Sequence, residues 1–242
     1  MRLVQITDPH LRADGSSFQG LDNEYRWAKA LAAARQLAPD LLLLSGDFCA
    51  ELPKQSTYQK LRPQLEELAI PYALLAGNHD SRKMLRSTFD FPGAPDAPIY
   101  YQKIVGDRQL LVLDSSKGEL EVEQLEWLTA ALANSSKPML AIHHPPCPMG
   151  ARFMDSRYPL KNHQPLIELL QADGRPIVVL CGHYHFGQQL QSKNLQVYCC
   201  PPTSFFIDPL ADEFVSIDSP PALQLIEWKE GQAATSICTR FV

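Results

Sequence analysis

Residues 73–81 read ALLAGNHDS, an apolar run that passes directly into Gly77, Asn78, His79 and Asp80. Gly, Asn and Asp are ordinary turn formers, so alone the stretch could be a strand closing in a turn. The same grammar recurs along the chain, and that recurrence gives it meaning. RLVQI (2–6) runs into TDPH, LLLL (41–44) into SGD, MLAI (139–142) into HHPP, and PIVVLC (176–181) into GHYH. Each apolar run is too short for a helix between its flanking signals and reads as a buried strand. The intervening LDNEYRWAKALAAARQLA (21–38) and YQKLRPQLEELA (58–69) have helical composition; Asp40 starts the exit from the first, and Pro63 must sit in the first turn of the second or kink it. Strand, helix, strand, helix, strand is the pattern of βαβ units with a parallel core.

The second half alternates less regularly. IYYQKIV (99–105) and QLLVLD (109–114) read as a strand pair joined at Gly106-Asp107. EVEQLEWLTAALA (121–133) places Leu125, Leu128, Ala131 and Leu132 at helical spacing, and PLIELLQ (165–171) is a further helix. From Gln188 the chain is strand-like, in QQLQ, LQVYCC, FVSID, LQLIEW and ATSICTRFV (234–242). With no repeat or low-complexity linker, the expectation is one α/β domain over 1–242: two packed mixed sheets flanked by helices, a βαβαβ sandwich. An exposed edge strand among the last segments would suit an oligomer, which nothing in the sequence demands.

Composition narrows the function. The net charge of −5, with no Lys/Arg-rich run, argues against a nucleic-acid partner. No apolar stretch approaches a membrane span, and Met1 leads straight into a strand without a signal core, which predicts a cytoplasmic protein. The six cysteines form no C-x-x-C pair and read as reduced, mostly buried thiols. Cys147 and Cys181 lie beside histidines but lack zinc-type spacing.

Of seven histidines, six fall in the clusters after the strands; only His163 does not. Asp8/His10 and His183/His185 share an i, i+2 spacing, which on extended backbone points both side chains to one face. In parallel sheets functional groups gather beyond the carboxyl ends of strands. A lone D-x-H is turn chemistry, a lone GNH a turn and a lone HHPP an exposed loop. Together they set many imidazoles and carboxylates side by side, an arrangement that calls for a cation.

The series D-x-H, GD, GNHD, H and GH-x-H resembles the signature of the calcineurin-like metallophosphoesterases. QITDPHL, ELEVEQLEWL, HHPPCPMG with LKN, and CCPPTSFF are similar to their class III cyclic nucleotide phosphodiesterase branch. That resemblance implies two metal ions, iron or manganese with zinc admissible. Asp8, His10 and His185 would hold one, Asp47 would bridge, and Asn78, His143 and His183 would complete the other. His143, directly after its strand, is the implied ligand, and His144 lies behind it or in the pocket. His79 would face the substrate as general acid, with Asp47 its catalytic partner through the metals and Asp80 orienting its neighbours. The implied substrate is a small phosphodiester, 3′,5′-cyclic AMP, attacked by metal-activated water. The alternatives are a glycerophosphodiester, a general diester, a nucleotide-sugar pyrophosphate, or a metal-free interaction module. His10, Asp47, Asn78, His79, His185, His144 and Arg152 form the implied substrate contacts.

Two departures accompany the match. Glu51 stands where many relatives carry Asp, a change that falls behind the ligands, and DSSKGEL (114–120), including Ser115–Gly118, is shorter than the family's loop near the substrate mouth. Arg152, Phe153, Asp155 and Tyr158 read equally as a loop over the site or as a solvated surface loop. Asn162 fits the branch pattern and fits a helix cap. Pro201-Pro202-Thr203 reads as a rigid turn packing Phe205 and Phe206, and Trp27, Trp127 and Trp228 as packing residues.

Overall fold

The computed structural model describes residues 1–232 and 235–242. Its first half alternates β1 (Arg2–Ile6), α1 (Asn23–Leu37), β2 (Leu41–Leu44), α2 (Gln55–Leu68), β3 (Tyr72–Leu74) and α3 (Arg82–Phe89). There follow β4 (Tyr101–Val105), β5 (Arg108–Val112), α4 (Val122–Ala133), β6 (Pro138–Ala141), α5 (Arg152–Arg157), α6 (His163–Asp173) and β7 (Ile177–Cys181). The chain ends in β8 (Gln188–Ser192), β9 (Leu195–Cys199), β10 (Phe206–Ile207), β11 (Ser216–Ile217), β12 (Ala222–Trp228) and β13 (Thr235–Phe241).

One sheet runs β13-β12-β1-β2-β3 and the other β4-β5-β6-β7-β9-β8. β1, β2 and β3 are mutually parallel, as are β5, β6, β7 and β9; β12, β4 and β8 add antiparallel neighbours. The sheets are therefore mixed, as expected. Successive strand residues face opposite ways, and LLLL shows what that does here. Leu41 and Leu43 enter the core between the sheets with Val112, Ala141 and Leu180, while Leu42 and Leu44 pack under the helices with Trp27 and Leu61. A third cluster joins the far face of the second sheet to α4, α5 and α6. The layers are thus helix, sheet, sheet, helix. Leu43 is fully buried, and its truncation to alanine would cost about 2–5 kcal/mol.

Several local expectations shift. α1 starts after Asp22, whose carboxylate accepts the Tyr25 N–H. α2 begins at Gln55, so Pro63 lies in the helix interior rather than its first turn. α3 is a further helix, on which Arg82 and Arg86 are buried with their guanidinium groups bound to carboxylates and backbone carbonyls. FVSID contributes only the two-residue β11, paired with β10. Ala234, the first residue of the expected last strand, lies outside the described residues. Among the described residues no helix is long and apolar enough to cross a membrane.

Candidate metal centre

Because the two sheets stack with β1, β2, β3, β6 and β7 carrying the polar clusters at their carboxyl ends, the clusters meet at one edge. Asp8, His10, Asp47 and His185 converge there, and so do Asp47, His143 and His183; within each group one donor atom per residue lies within 4.8 Å of the others. Asp47 belongs to both. Its Oδ2 stands 3.6 Å from His10 Nε2 and 3.4 Å from His143 Nε2, between the groups. Asn78 Oδ1 lies 3.2 Å from His143 Nε2 and joins the second group.

The backbone achieves this differently from the extended pairs expected from sequence. Asp8, His10, Asp47, His183 and His185 all take left-handed conformations, with φ of 50°, 46°, 55°, 68° and 55°. Non-glycine residues adopt this region rarely and at a cost. The i, i+2 pairs converge because the chain curls over the strand ends, clamped by Asp8 N–H to the Gly46 carbonyl and His10 N–H to that of Asp47, both at 3.1 Å. Close approach is secured at Gly77 and Gly182. A methyl group on Gly77 would lie 2.1 Å from Asp47 Oδ1, and one on Gly182 would lie 2.1 Å from the Thr7 hydroxyl.

Hydrogen bonds outside the clusters fix the three histidines His143, His183 and His185 and brace the two carboxylates. His185 Nδ1–H donates to the Phe205 carbonyl at 2.7 Å and His143 Nδ1–H to the Ser45 carbonyl at 2.7 Å, so each turns its Nε2 inward. His183 bonds the Tyr158 carbonyl through Nε2 at 3.0 Å, leaving Nδ1 for the site. Asp8 Oδ2 accepts from Thr7 Oγ1 and the His183 N–H, and Asp47 Oδ1 accepts from the His79 N–H. The Asp80 carboxylate accepts the Gly77 and Phe48 N–H groups and the Tyr58 hydroxyl, tying the loop after β3 to the loop after β2.

The donor set calls for positive charge. Asp8 Oδ1 is buried without a hydrogen-bond partner, 3.5 Å from His185 Nε2. His10 Nε2 and His185 Nε2 face each other at 3.1 Å. Burial pulls His143 down, but the Asp47 carboxylate outweighs it and lifts this imidazole to about 10. Burial pushes Asp47 up, yet His143 and His10 hold it well below the usual carboxylate range. A cation between these groups satisfies lone pairs that otherwise oppose one another, so the residues fit two metal ions. Thiolates take no part: Cys181 and Cys199 donate to the Tyr198 and Gly182 carbonyls.

A cavity of about 460 Å³ opens beside the clusters. His10, Asp47, Asn78, His79, His183 and His185 line it together with Phe18, Phe153, Phe205 and Phe214. The remaining sequence candidates fall elsewhere. His144 is buried behind the site, bound to Ser115 Oγ and packed on His183 with ring centroids 4.0 Å apart, so it does not line the cavity. Arg152 is exposed on α5 beside Asp212, also away from the lining, because the helix turns its neighbours Phe153 and Met154 inward instead. Ser115–Gly118 closes a tight turn on the His144 side and does not reach the mouth. Glu51 is exposed and paired with Arg12, not behind a ligand. Asn162 stands before α6 without capping it; its side chain brackets Leu120 through both backbone groups. Phe205, read as packing, also lines the cavity and stacks on His185 at 4.3 Å. Phe18 and Phe214 drew no attention in sequence, since isolated aromatics in loops carry no periodic signal.

A two-sheet sandwich with two overlapping histidine–carboxylate groups at the carboxyl ends of its strands defines a dinuclear metallohydrolase. The family model described as calcineurin-like phosphoesterase matches residues 1–187, and the chain belongs to that family of metal-dependent phosphoesterases. It is 30% identical over 239 residues to a probable cyclic nucleotide phosphodiesterase of Fibrobacter succinogenes, covering 98% of this chain and 93% of the relative. It is 31% identical to the 3′,5′-cyclic adenosine monophosphate phosphodiesterase CpdA of Pseudomonas aeruginosa, over 88% of this chain and 79% of that one. In fold it resembles a dimetal phosphatase from Danio rerio, with a TM-score of 0.74 at 14% identity over 99% of this chain and 96% of that chain.

Proposed function

We propose that the protein hydrolyses 3′,5′-cyclic AMP to AMP with two metal ions bound. The observation that carries this reading is a cavity lined both by candidate ligands and by aromatic rings. Its volume of about 460 Å³ falls within the range of small-ligand sites, about 300–1,000 Å³. The candidate ligands suit a phosphodiester and the rings a nucleobase, and relatives named as cyclic nucleotide phosphodiesterases support the reading.

In this reading Asp8, His10, Asp47 and His185 hold one metal and Asp47, Asn78, His143 and His183 the second. Bound there, the metals supply Lewis acidity toward phosphoryl oxygens and lower the pKa of water toward about 7. Imidazole, carboxylate and amide donors without thiolate suit iron and manganese. His79 lines the cavity edge-on to His10, with ring centroids 4.9 Å apart, and its backbone N–H grips Asp47. In this reading its imidazole passes a proton to the leaving ribose oxygen, a contribution of typically about 10²–10⁴-fold. The aromatic walls exclude water and stack on the base. A nucleotide substrate sets this work in the cytoplasm.

The test is turnover of 3′,5′-cyclic AMP by Mn²⁺-loaded protein, with bis(p-nitrophenyl) phosphate beside it. Hydrolysis of both supports the reading. Hydrolysis of the aryl diester alone keeps a phosphodiesterase and discards the cyclic nucleotide.

A further inference from the structure

Set aside the candidate ligands and His79, and the cavity walls are apolar or aromatic except at Gln19. Among the described residues, Gln19 is the one lining side chain that ends in a free-standing amide. Its backbone is unusual. Phe18 and Leu21 exchange both backbone hydrogen bonds at 3.0 Å, leaving Gln19 and Gly20 as a two-residue turn. Both central residues take positive φ, 53° and 76°, as a type I′ turn requires. The first position of such turns favours Asn, Asp or Gly; a glutamine lacks their short side chain and tolerates the left-handed region poorly. A strained residue at a cavity rim points to function.

The turn is also anchored. The Phe18 ring packs on His10 at 5.8 Å and on Phe205 at 5.9 Å, and the Arg12 guanidinium covers it at 5.3 Å while pairing with Glu51. The Gln19 backbone is thus anchored beside the aromatic wall, with its side chain exposed at the rim. A base stacked on that wall presents its edge to the rim, and a glutamine amide pairs with a donor and an adjacent acceptor on such an edge, as on adenine.

We infer that Gln19 reads the hydrogen-bonding edge of the substrate's nucleobase and is a specificity-determining residue, which rests on the nucleotide reading above. The experiment measures inhibition of bis(p-nitrophenyl) phosphate hydrolysis by 5′-AMP, 5′-GMP and ribose 5-phosphate, the last being AMP without its base. Wild type, Gln19→Asn and Gln19→Glu are compared after metal loading. Asparagine suits the turn better but is one methylene too short. Its variant melts no lower than wild type, yet the advantage of AMP over ribose 5-phosphate falls about tenfold. Gln19→Glu offers two acceptors, loses AMP and shifts the ratio toward GMP, whose N1–H and N2–H both donate. An unchanged AMP advantage in Gln19→Asn overturns the inference, as does a wild type that binds AMP no better than ribose 5-phosphate. The cyclic nucleotide reading is judged separately by turnover of cyclic AMP: its loss beside an intact, Gln19-dependent AMP advantage would sink that reading and leave the base contact standing.

Discussion

Replacing Gly182 with alanine would place a methyl group 2.1 Å from the Thr7 hydroxyl oxygen and 2.8 Å from Asp8 Oδ2. Neither neighbour is the loose end of a flexible side chain. Thr7 is fully buried and donates to Asp8 at 2.6 Å, and the same Asp8 oxygen accepts the His183 N–H at 3.0 Å. Relief requires the ends of β1 and β7 to part, which strains packing by about 1–3 kcal/mol. Losing one hydrogen bond to the carboxylate adds about 1.5–3 kcal/mol. A total of about 2.5–6 kcal/mol lowers the melting temperature by about 5–24 °C in a chain of this size. Gly187, on the far side of the GHYH run, is the internal control: its added methyl would meet only Pro201 carbons at 3.6 Å and 3.7 Å, an ordinary contact. Gly187→Ala should stay within about 0.5 kcal/mol of wild type. Thermal unfolding of metal-free protein and elemental analysis after metal loading read both effects, with Gly182→Ala losing metal and Gly187→Ala retaining it. Equal melting temperatures and equal metal content in the two variants would refute the contact at Asp8 and the reasoning built on it.

Asp47→Asn should abolish binding of both metals, because its carboxylate stands in both donor groups, whereas Asn78→Ala should leave one ion per chain by elemental analysis. His79→Ala should keep both ions and lose turnover by about 10²–10⁴-fold; a metal-free variant would contradict its place outside the ligand set. Far from the site, the Lys137 ammonium and then the Gly231 N–H hold Asp107 below the usual carboxylate range, and Trp228 Nε1 also donates to it. A depressed carboxylate contributes stability above its unfolded pKa of about 3.9 and loses it as pH falls through the folded value. Asp107→Asn should therefore melt below wild type at pH 7, and the two curves should converge in acid; a gap that persists there would assign the effect to packing.

The layered fold was legible because each strand of the parallel core is buried on both faces, which leaves a continuous apolar run such as LLLL with only its flanks to mark its length. Sheet order was not. β12 pairs with β1 from the opposite end of the chain, Arg2 against Glu227, and no local pattern encodes a partner so distant. α3 escaped notice because Ser81, its N-cap, reads as the tail of the GNHD turn and its buried face carries two arginines. α5 escaped for the same reason that Arg152 misled. Six residues are too few for periodicity, so the sequence could not say that Phe153 and Met154 turn inward while Arg152 turns out.

The donor residues were legible as types and spacings, but their route to convergence was not. Extended pairs and left-handed pairs both bring residues i and i+2 together, and sequence does not separate them unless glycine marks the turn. Here glycine stands beside the strained residues instead, at Gly77 and Gly182, where it removes side chains that would strike Asp47 and Thr7. Each left-handed non-glycine residue costs about 1–2 kcal/mol, so the strain at Asp8, His10, Asp47, His183 and His185 sums to about 5–10 kcal/mol. That is comparable to the whole stability of a typical domain. It is sustained because backbone bonds from outside the turns over-determine them: Ser204 N–H to the Asp8 carbonyl, Ile207 N–H to that of His185 and Gly182 N–H to that of His143. The backbone under the donors is therefore set by the fold, and bound cations would add their stabilisation by satisfying the opposed side-chain lone pairs. Chelation should therefore leave the backbone of these turns in place while the side chains re-arrange, so the amide NMR shifts of Asp8, Asp47 and His183 should change less than the imidazole shifts of His10 and His185.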